Sequence, residues 1–370
     1  MKKQTKTTQD VLNRLETEIL VLDGAMGTQL QRRGMAAGHC PEAFNLDAGQ
    51  AMIAIHTDYI RAGADLILSN TFGALGCRLK EYGLDRQLES IISASADHCR
   101  ESINVCRKDG SDNGRRIYAL GNVGPTGRFL PPVGTAGWQE TLDEYARTMQ
   151  AFNAARFDGV IIETMADIRE MKCALTAARD YFDGLVIALM TFQDIDGTVT
   201  GTKPLAFVKL AERLGADIIG LNCTTGPDAF FPIVEQMRKH THLPIAVEPN
   251  AGLPILVNGE NKFPAQPPEF YSAAERFVST GANIIGGCCG TTPDFIREIR
   301  RATAGKQPIP RPARDTGTTW LTTSFDAFAF SAQQPPAVIG ERINPSGRKA
   351  FRDALRVGDF KPVRADAVAQ

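Results

Sequence analysis

Short aliphatic and β-branched runs recur along the chain, each followed by a longer segment in which apolar positions return at helical spacing. The runs are Ile19–Leu22, Leu66–Leu68, Ile117–Leu120, Val160–Ile162, Leu185–Leu189, Ile218–Leu221, Ile245–Val247 and Ile284–Ile285. Hydrophobicity within them is continuous rather than alternating, as expected of strands buried on both faces of a parallel sheet. The intervening patterns, such as Ala51–Ala62, Gln87–Val105, Tyr145–Arg156 and Phe207–Leu214, predict helices. Eight strand–helix units predict an α/β fold closed into a (β/α)8 TIM barrel.

Polar motifs sit at the end of each run. Asp23-Gly24-Ala25-Met26-Gly27-Thr28 follows the first, Asn70-Thr71-Phe72-Gly73 the second, Gly121-Asn122-Val123-Gly124 the third and Glu163-Thr164 the fourth. Thr191-Phe192-Gln193, Asn222-Cys223, Pro249-Asn250-Ala251-Gly252 and Cys288-Cys289 follow the remaining four. The carboxyl ends of all strands in a barrel meet on one face, where active sites are built, so these motifs are expected to converge there.

The cysteines carry the most specific chemistry. Cys288 and Cys289 are adjacent in Gly286-Gly287-Cys288-Cys289-Gly290, and Cys223 lies in Gly220-Leu221-Asn222-Cys223-Thr224. A disulfide between neighbours in sequence is strained, whereas adjacent thiolates can both reach one metal. Taken alone, Cys223 also suits core packing. Three thiolates from units six and eight with no obvious fourth ligand make an open zinc site, whose remaining position suits a substrate sulfur. Paired CxxC knuckles are absent and all five histidines lie elsewhere in the sequence, which argues against a purely structural zinc.

Composition narrows the picture further. With 370 residues, 43% of them hydrophobic, the chain can bury a large core and suits one big domain plus an appendage. Lys and Arg number 41 against 42 Asp and Glu, so no net field favours nucleic acid or an anionic membrane. The apolar stretch Ile19–Leu22 is too short for a signal sequence or a membrane span. Eight dispersed cysteines fit a reducing cytoplasm rather than a disulfide framework. The glycines of Gly121–Gly127 do not have the spacing of a dinucleotide or Walker loop and are read as a wall of the same rim.

The motifs Asp23–Thr28, Asn70-Thr71-Phe72, Asn222-Cys223 and Gly286–Gly290 closely resemble the homocysteine S-methyltransferase domain family over about Leu15–Ala304. They are most similar to the N-terminal homocysteine-binding module of cobalamin-dependent methionine synthase. The resemblance implies Zn2+ on Cys223, Cys288 and Cys289, and homocysteine as the thiol that is methylated. It also implies methylcobalamin as donor, carried by a corrinoid protein or by the remaining methionine synthase domains. No protein nucleophile is required, since the metal-activated substrate thiolate attacks the methyl group. The glutamate matching Glu163 pairs with the substrate ammonium in this family; the bland alternative is a solvated helix-start residue. Asp23 either holds the amino group or orients the first loop, and Gly24 offers an N–H to the carboxylate or merely tightens the turn. Phe72 lines the substrate methylenes or packs in the core. Asn222 hydrogen-bonds near the substrate or a metal-bound sulfur. Asn250 matches an asparagine that approaches zinc when substrate is absent, or forms a simple turn.

These readings divide the chain into a leader (1–14), the homocysteine-binding barrel (15–305), a proline- and threonine-rich linker (306–335) and a tail (336–370). The tail segment Pro336–Lys349 is similar to the opening strand, loop and helix of a pterin-binding domain. Residues 336–370 are too few for a second barrel, which needs about 250, so the tail is expected to be either a truncated start or an evolved docking element. Two other functions fit the same residues: a stand-alone homocysteine methyltransferase using S-methylmethionine or betaine, and a non-catalytic zinc-binding remnant.

Overall fold

A computed structural model describes residues 5–36, 38–257, 260–337, 340 and 342–369. Eight strands form one parallel sheet: β1 (Leu20–Val21), β2 (Leu66–Leu68), β3 (Tyr118–Val123), β4 (Gly159–Met165), β5 (Leu185–Met190), β6 (Ile218–Cys223), β7 (Ile245–Pro249) and β8 (Ile284–Ile285). Each pairs with its sequence neighbour, β8 pairs with β1, and a parallel bridge from Leu22 to Leu66 joins β1 to β2. The result is the expected (β/α)8 barrel.

Successive residues of a strand point to opposite faces, and here both faces are dry. Leu20, Leu22, Leu66, Leu68, Leu120, Ile161, Ile187, Leu189, Ile218 and Ile284 fill the barrel interior. Val21, Ile67, Ala119, Ile162, Ala188, Ile219 and Val247 pack outward in the cluster that holds the helices. Inward Gly220 has a specific role: a Cβ there would lie 1.8 Å from the Ala246 carbonyl oxygen, so β6 and β7 approach each other closely only without a side chain.

Four strands run past their apolar runs, because β3, β4, β6 and β7 continue through Asn122, Glu163, Asn222 and Glu248. Motifs expected beyond those strand ends therefore lie on the strands themselves. Helix Lys6–Arg14 is capped by the Thr5 hydroxyl, which accepts from Thr8 N at 3.1 Å, and Val11 and Leu15 join the interior cluster.

Asp65, just before β2, is fully buried and fastens the opposite end of the barrel. It accepts from Val21 N at 2.9 Å and forms ion pairs with Arg115 (3.4 Å), Arg14 (3.6 Å) and Arg300. Removing this carboxylate strands a backbone N–H and three cations, which can partly rehydrate because each retains some exposure. Asp65→Ala is therefore expected to cost about 3 kcal/mol. The check is urea denaturation, with a lowered midpoint at an unchanged slope.

By its contacts the chain divides into a larger unit, Met1–Thr316 with Trp320–Phe328, and a smaller one, Gly317–Thr319 with Ala329–Gln370. Within the stretch read as a linker, Thr319–Thr322 and Ala327–Phe330 form a two-stranded sheet. In the larger unit, Lys203 N donates to Phe325 O at 2.9 Å, Lys203 Nζ pairs with Asp326 at 2.7 Å, and Lys209 Nζ lies 4.9 Å from the Trp320 ring centroid. The smaller unit contains helices Lys349–Arg356 and Lys361–Ala369. Val338, Ile339 and Glu341, part of the strand expected there, lie outside the described residues. No helix among the described residues is long and apolar enough to cross a membrane.

Candidate metal centre

The Sγ atoms of Cys223, Cys288 and Cys289 all lie within 4.8 Å of one another at the mouth of the barrel. Among the described residues this is the one group of three or more His, Cys, Asp or Glu side chains close enough to share an ion. Cys223 ends β6 with φ +64°, and Thr224 follows with φ +60°. Two successive non-glycine residues in the left-handed region, one of them β-branched, mark a strained turn of the kind that clusters at functional sites. The turn is held by Thr224 Oγ1 donating to Phe192 O at 2.8 Å.

The loop bearing Cys288 and Cys289 is pinned on both sides. Gly287 N donates to Asp23 O (3.1 Å) on the β1 side, and Cys288 N donates to Pro249 O (2.9 Å) on β7. Thr291 Oγ1 closes the turn by donating to Cys288 O at 2.7 Å. Gly290 has φ +82°, and the Phe263 ring occupies the space a Cβ would need, so glycine is required next to the cysteine pair.

The three thiols behave as one set. Hydrogen bonds from Cys288 and Cys289 hold the Cys223 thiol down at about 3, while hydrogen bonding to Cys223 raises Cys288 well above the ordinary thiol range and pushes Cys289 up to about 12. Full ionisation of three sulfurs this close together requires a cation to offset the crowded charge. A soft, three-sulfur donor set at one point fits Zn2+. The other five cysteines lie apart from the cluster; burial raises the thiols of Cys40 and Cys77 to about 11 and of Cys173 to about 12.

Beneath the sulfurs lies a polar layer made by the last inward residues of the strands. Glu163 is buried on β4 and accepts from Asn222 Nδ2, from Thr164 Oγ1 at 3.3 Å and from the Asn122 side chain. Burial, with the charge of Cys223 nearby, pushes its carboxyl up to about 7. A solvated helix-start glutamate does not describe it. Asp23 is also buried; its Oδ2 accepts from Leu68 N at 2.8 Å, and burial raises its carboxyl well above the usual range.

Asn222 is a hub rather than a free ligand-facing amide. Its Oδ1 accepts from Thr164 N at 2.8 Å, and its Nδ2 donates to Glu163, to Thr164 Oγ1 at 2.9 Å and toward Cys288 Sγ at 3.9 Å. Thr164 itself has φ +59°, a conformation that this clamp supports. Asn250 likewise fastens the two cysteine arms: its Oδ1 accepts from Cys289 N at 3.0 Å, its N donates to Thr225 O at 3.0 Å, and its side chain hydrogen-bonds Cys223. Gly24 is wedged where a Cβ would meet Thr291 Oγ1 at 2.7 Å and the Tyr59 ring at 3.0 Å. Phe72 is 38% exposed at the rim, with its ring over Gly124.

The structure thus gathers Cys223, Cys288, Cys289, Asn222, Asn250, Glu163 and Asp23 at one mouth. The sequence reading passed over Glu248 and gave no individual role to Asn122, Thr164 or Thr291. Glu248 had a usable signal, since it lies two residues after inward Ala246 and therefore points inward as well.

Residues 20–303 match the homocysteine S-methyltransferase family. The chain is 33% identical over 369 residues to methionine synthase of Mycobacterium leprae (strain TN), a match covering 95% of this chain and 30% of that protein. It is 33% identical over 367 residues to methionine synthase of Mycobacterium tuberculosis (strain ATCC 25618 / H37Rv), with the same coverage. The chain therefore spans about 30% of the length of these relatives. The homocysteine methyltransferase MmuM from Escherichia coli shares the fold at 22% identity: its apo form has a TM-score of 0.66, covering 80% of this chain and 100% of that one. The metallated form has a TM-score of 0.68, covering 80% and 99%.

Proposed function

The chain belongs to the homocysteine S-methyltransferase family, its barrel being a methyltransferase domain, and we propose that it methylates the thiol of homocysteine as the homocysteine module of a cobalamin-dependent methionine synthase. The observation that carries this reading is the convergence of three cysteine sulfurs within 4.8 Å at the barrel mouth. Bound there, Zn2+ would supply Lewis acidity that keeps a thiol substrate deprotonated at neutral pH, together with an open coordination position.

Cys223, Cys288 and Cys289 are the residues to hold that ion, and Asn222 and Asn250 fix the positions of their sulfurs. Glu163 and Asp23 receive the substrate ammonium, the turn at Gly24 presents backbone N–H to its carboxylate, and Phe72 covers its methylenes. The thiol proton is lost to solvent, the sulfur–methyl bond forms, and the donor–methyl bond breaks. No side chain forms a covalent intermediate. The exposure of Cys289 leaves the mouth accessible to a donor delivered from outside the barrel.

Methylcobalamin is the proposed donor, carried on a corrinoid protein or on further methionine synthase domains. In support, the match to full-length methionine synthases takes in 95% of the chain, beyond the barrel segment that ends at residue 303. On this reading residues 306–335 are a connector and 336–370 the opening of a pterin-binding domain. Free thiols at the site suit a cytoplasmic setting.

A donor panel on zinc-loaded protein tests the proposal. Methionine is expected from homocysteine with methylcobalamin, free or protein-bound. Turnover only with S-methylmethionine or betaine would assign a stand-alone enzyme, and zinc binding without turnover on any donor would assign a remnant.

A further inference from the structure

Glu248 occupies the last inward position of β7, opposite Asn222 on β6, and is 2% exposed. Inward positions of such a barrel are normally filled by branched apolar residues, and burying a carboxyl there without partners costs free energy. Among the described residues its Oε1 nevertheless has no hydrogen-bond partner. In the polar layer at the barrel mouth two other buried atoms share that condition, Oδ1 of Asp23 and Oδ1 of Asn122, and all three are acceptors. The donors nearby are already engaged: Asn222 Nδ2 serves Glu163 and Thr164 Oγ1, and the Asn122 amide serves Glu163.

Asp23, Glu163 and Glu248 lie close enough for their charges to act on one another. Among the described residues no lysine or arginine forms an ion pair with any of them. Acceptors without donors, and carboxyls without a cation, define what is missing: a compact cation bearing several N–H groups. An alkylammonium group satisfies both requirements.

We propose that Glu248 is a substrate-binding residue, which takes an N–H of the substrate ammonium together with Asp23 and Glu163 and thereby selects amino thiols over thiols lacking the amine. The inference rests on the proposed reading of the chain as a homocysteine methyltransferase. Glu248 stands between the strands that carry the cysteines, since β7 pairs with β6 on one side and β8 on the other. In homocysteine three carbons separate sulfur from nitrogen, so a thiol held at the mouth lets its ammonium reach the layer below. Carboxylates from β1, β4 and β7 then surround it.

The test is isothermal titration calorimetry of zinc-loaded protein with homocysteine and with 4-mercaptobutyrate, which keeps the thiol and carboxylate but lacks the amine. Wild-type protein is expected to favour homocysteine. Glu248→Gln should raise the homocysteine Kd about tenfold while leaving the 4-mercaptobutyrate Kd within about twofold and the zinc content unchanged. An unchanged homocysteine Kd, or equal weakening of both thiols, would overturn the assignment. If Glu248→Gln does not fold, Glu248→Asp decides: it keeps the charge but withdraws it by one methylene. A severalfold loss confined to homocysteine is then expected, and an unaltered preference overturns the proposal. Wild-type protein that binds neither thiol would refute the homocysteine reading itself, a result distinct from failure of the Glu248 role.

Discussion

Cys288→Ala is expected to bring zinc below one ion per chain and to abolish methyl transfer, while the barrel stays folded. Cys288 shares its hydrogen bonds with Cys223 and Cys289 and receives the Asn222 amide, and among the described residues no other side chain stands ready to replace its sulfur. Changes in outer partners of a metal ligand cost about 10–100-fold in affinity, and loss of a ligand itself should exceed that. The measurement is metal analysis after dialysis against a competing chelator, alongside circular dichroism. Cys173→Ala, which removes a buried thiol remote from the cluster, is expected to retain zinc at the wild-type level. Equal zinc in Cys288→Ala and wild-type protein would remove Cys288 from the ligand set.

Glu163→Gln should weaken homocysteine by about 10–150-fold, the equivalent of about 1.5–3 kcal/mol for a charge-assisted hydrogen bond, with zinc retained. The carboxylate accepts from Asn222, Thr164 and Asn122 on the protein side. Glutamine preserves its shape but loses both the charge and one acceptor oxygen. Calorimetric titration with homocysteine and parallel zinc analysis separate the two effects. Undiminished homocysteine affinity would exclude Glu163 from the ammonium site, and loss of zinc would reassign it to the support of Asn222 and Cys288.

Much of the barrel was legible because a parallel strand covered on both faces must be apolar at every position. Leu66–Leu68 and Ile284–Ile285 accordingly emerge with their bounds intact. The same criterion truncates β3, β4, β6 and β7, whose last inward residues are Asn122, Glu163, Asn222 and Glu248. At the mouth the interior turns polar, so apolarity stops marking the strand there. Helix Trp138–Ala154 begins earlier than the expected Tyr145 because its first turns, with Glu140, Asp143 and Glu144, read as loop. The first helix was illegible for a similar reason: among polar residues, only Val11, Leu15 and the partly buried Leu12 supply its apolar contacts with the interior.

The cysteine cluster was visible because adjacent thiols are chemically unusual and barrel topology brings strands six and eight together. The division of labour around it was not. Asn222 and Asn250 read as candidate substrate contacts from their motifs, yet their polar atoms are engaged in holding Glu163, Thr164, Cys223 and Cys289. Partners distant in sequence decide that assignment, and spacing along one chain does not contain them. Glu248 was overlooked because a single acid after Ile245-Ala246-Val247 reads as the end of a strand rather than as its innermost polar residue.

The account depends most directly on three sulfurs holding one zinc ion with a position open to a fourth. X-ray absorption at the zinc edge counts them: about three sulfurs near 2.3 Å and one lighter ligand are expected without substrate, becoming four sulfurs when homocysteine is added. Two or fewer protein sulfurs, or a count unchanged by homocysteine, would contradict it.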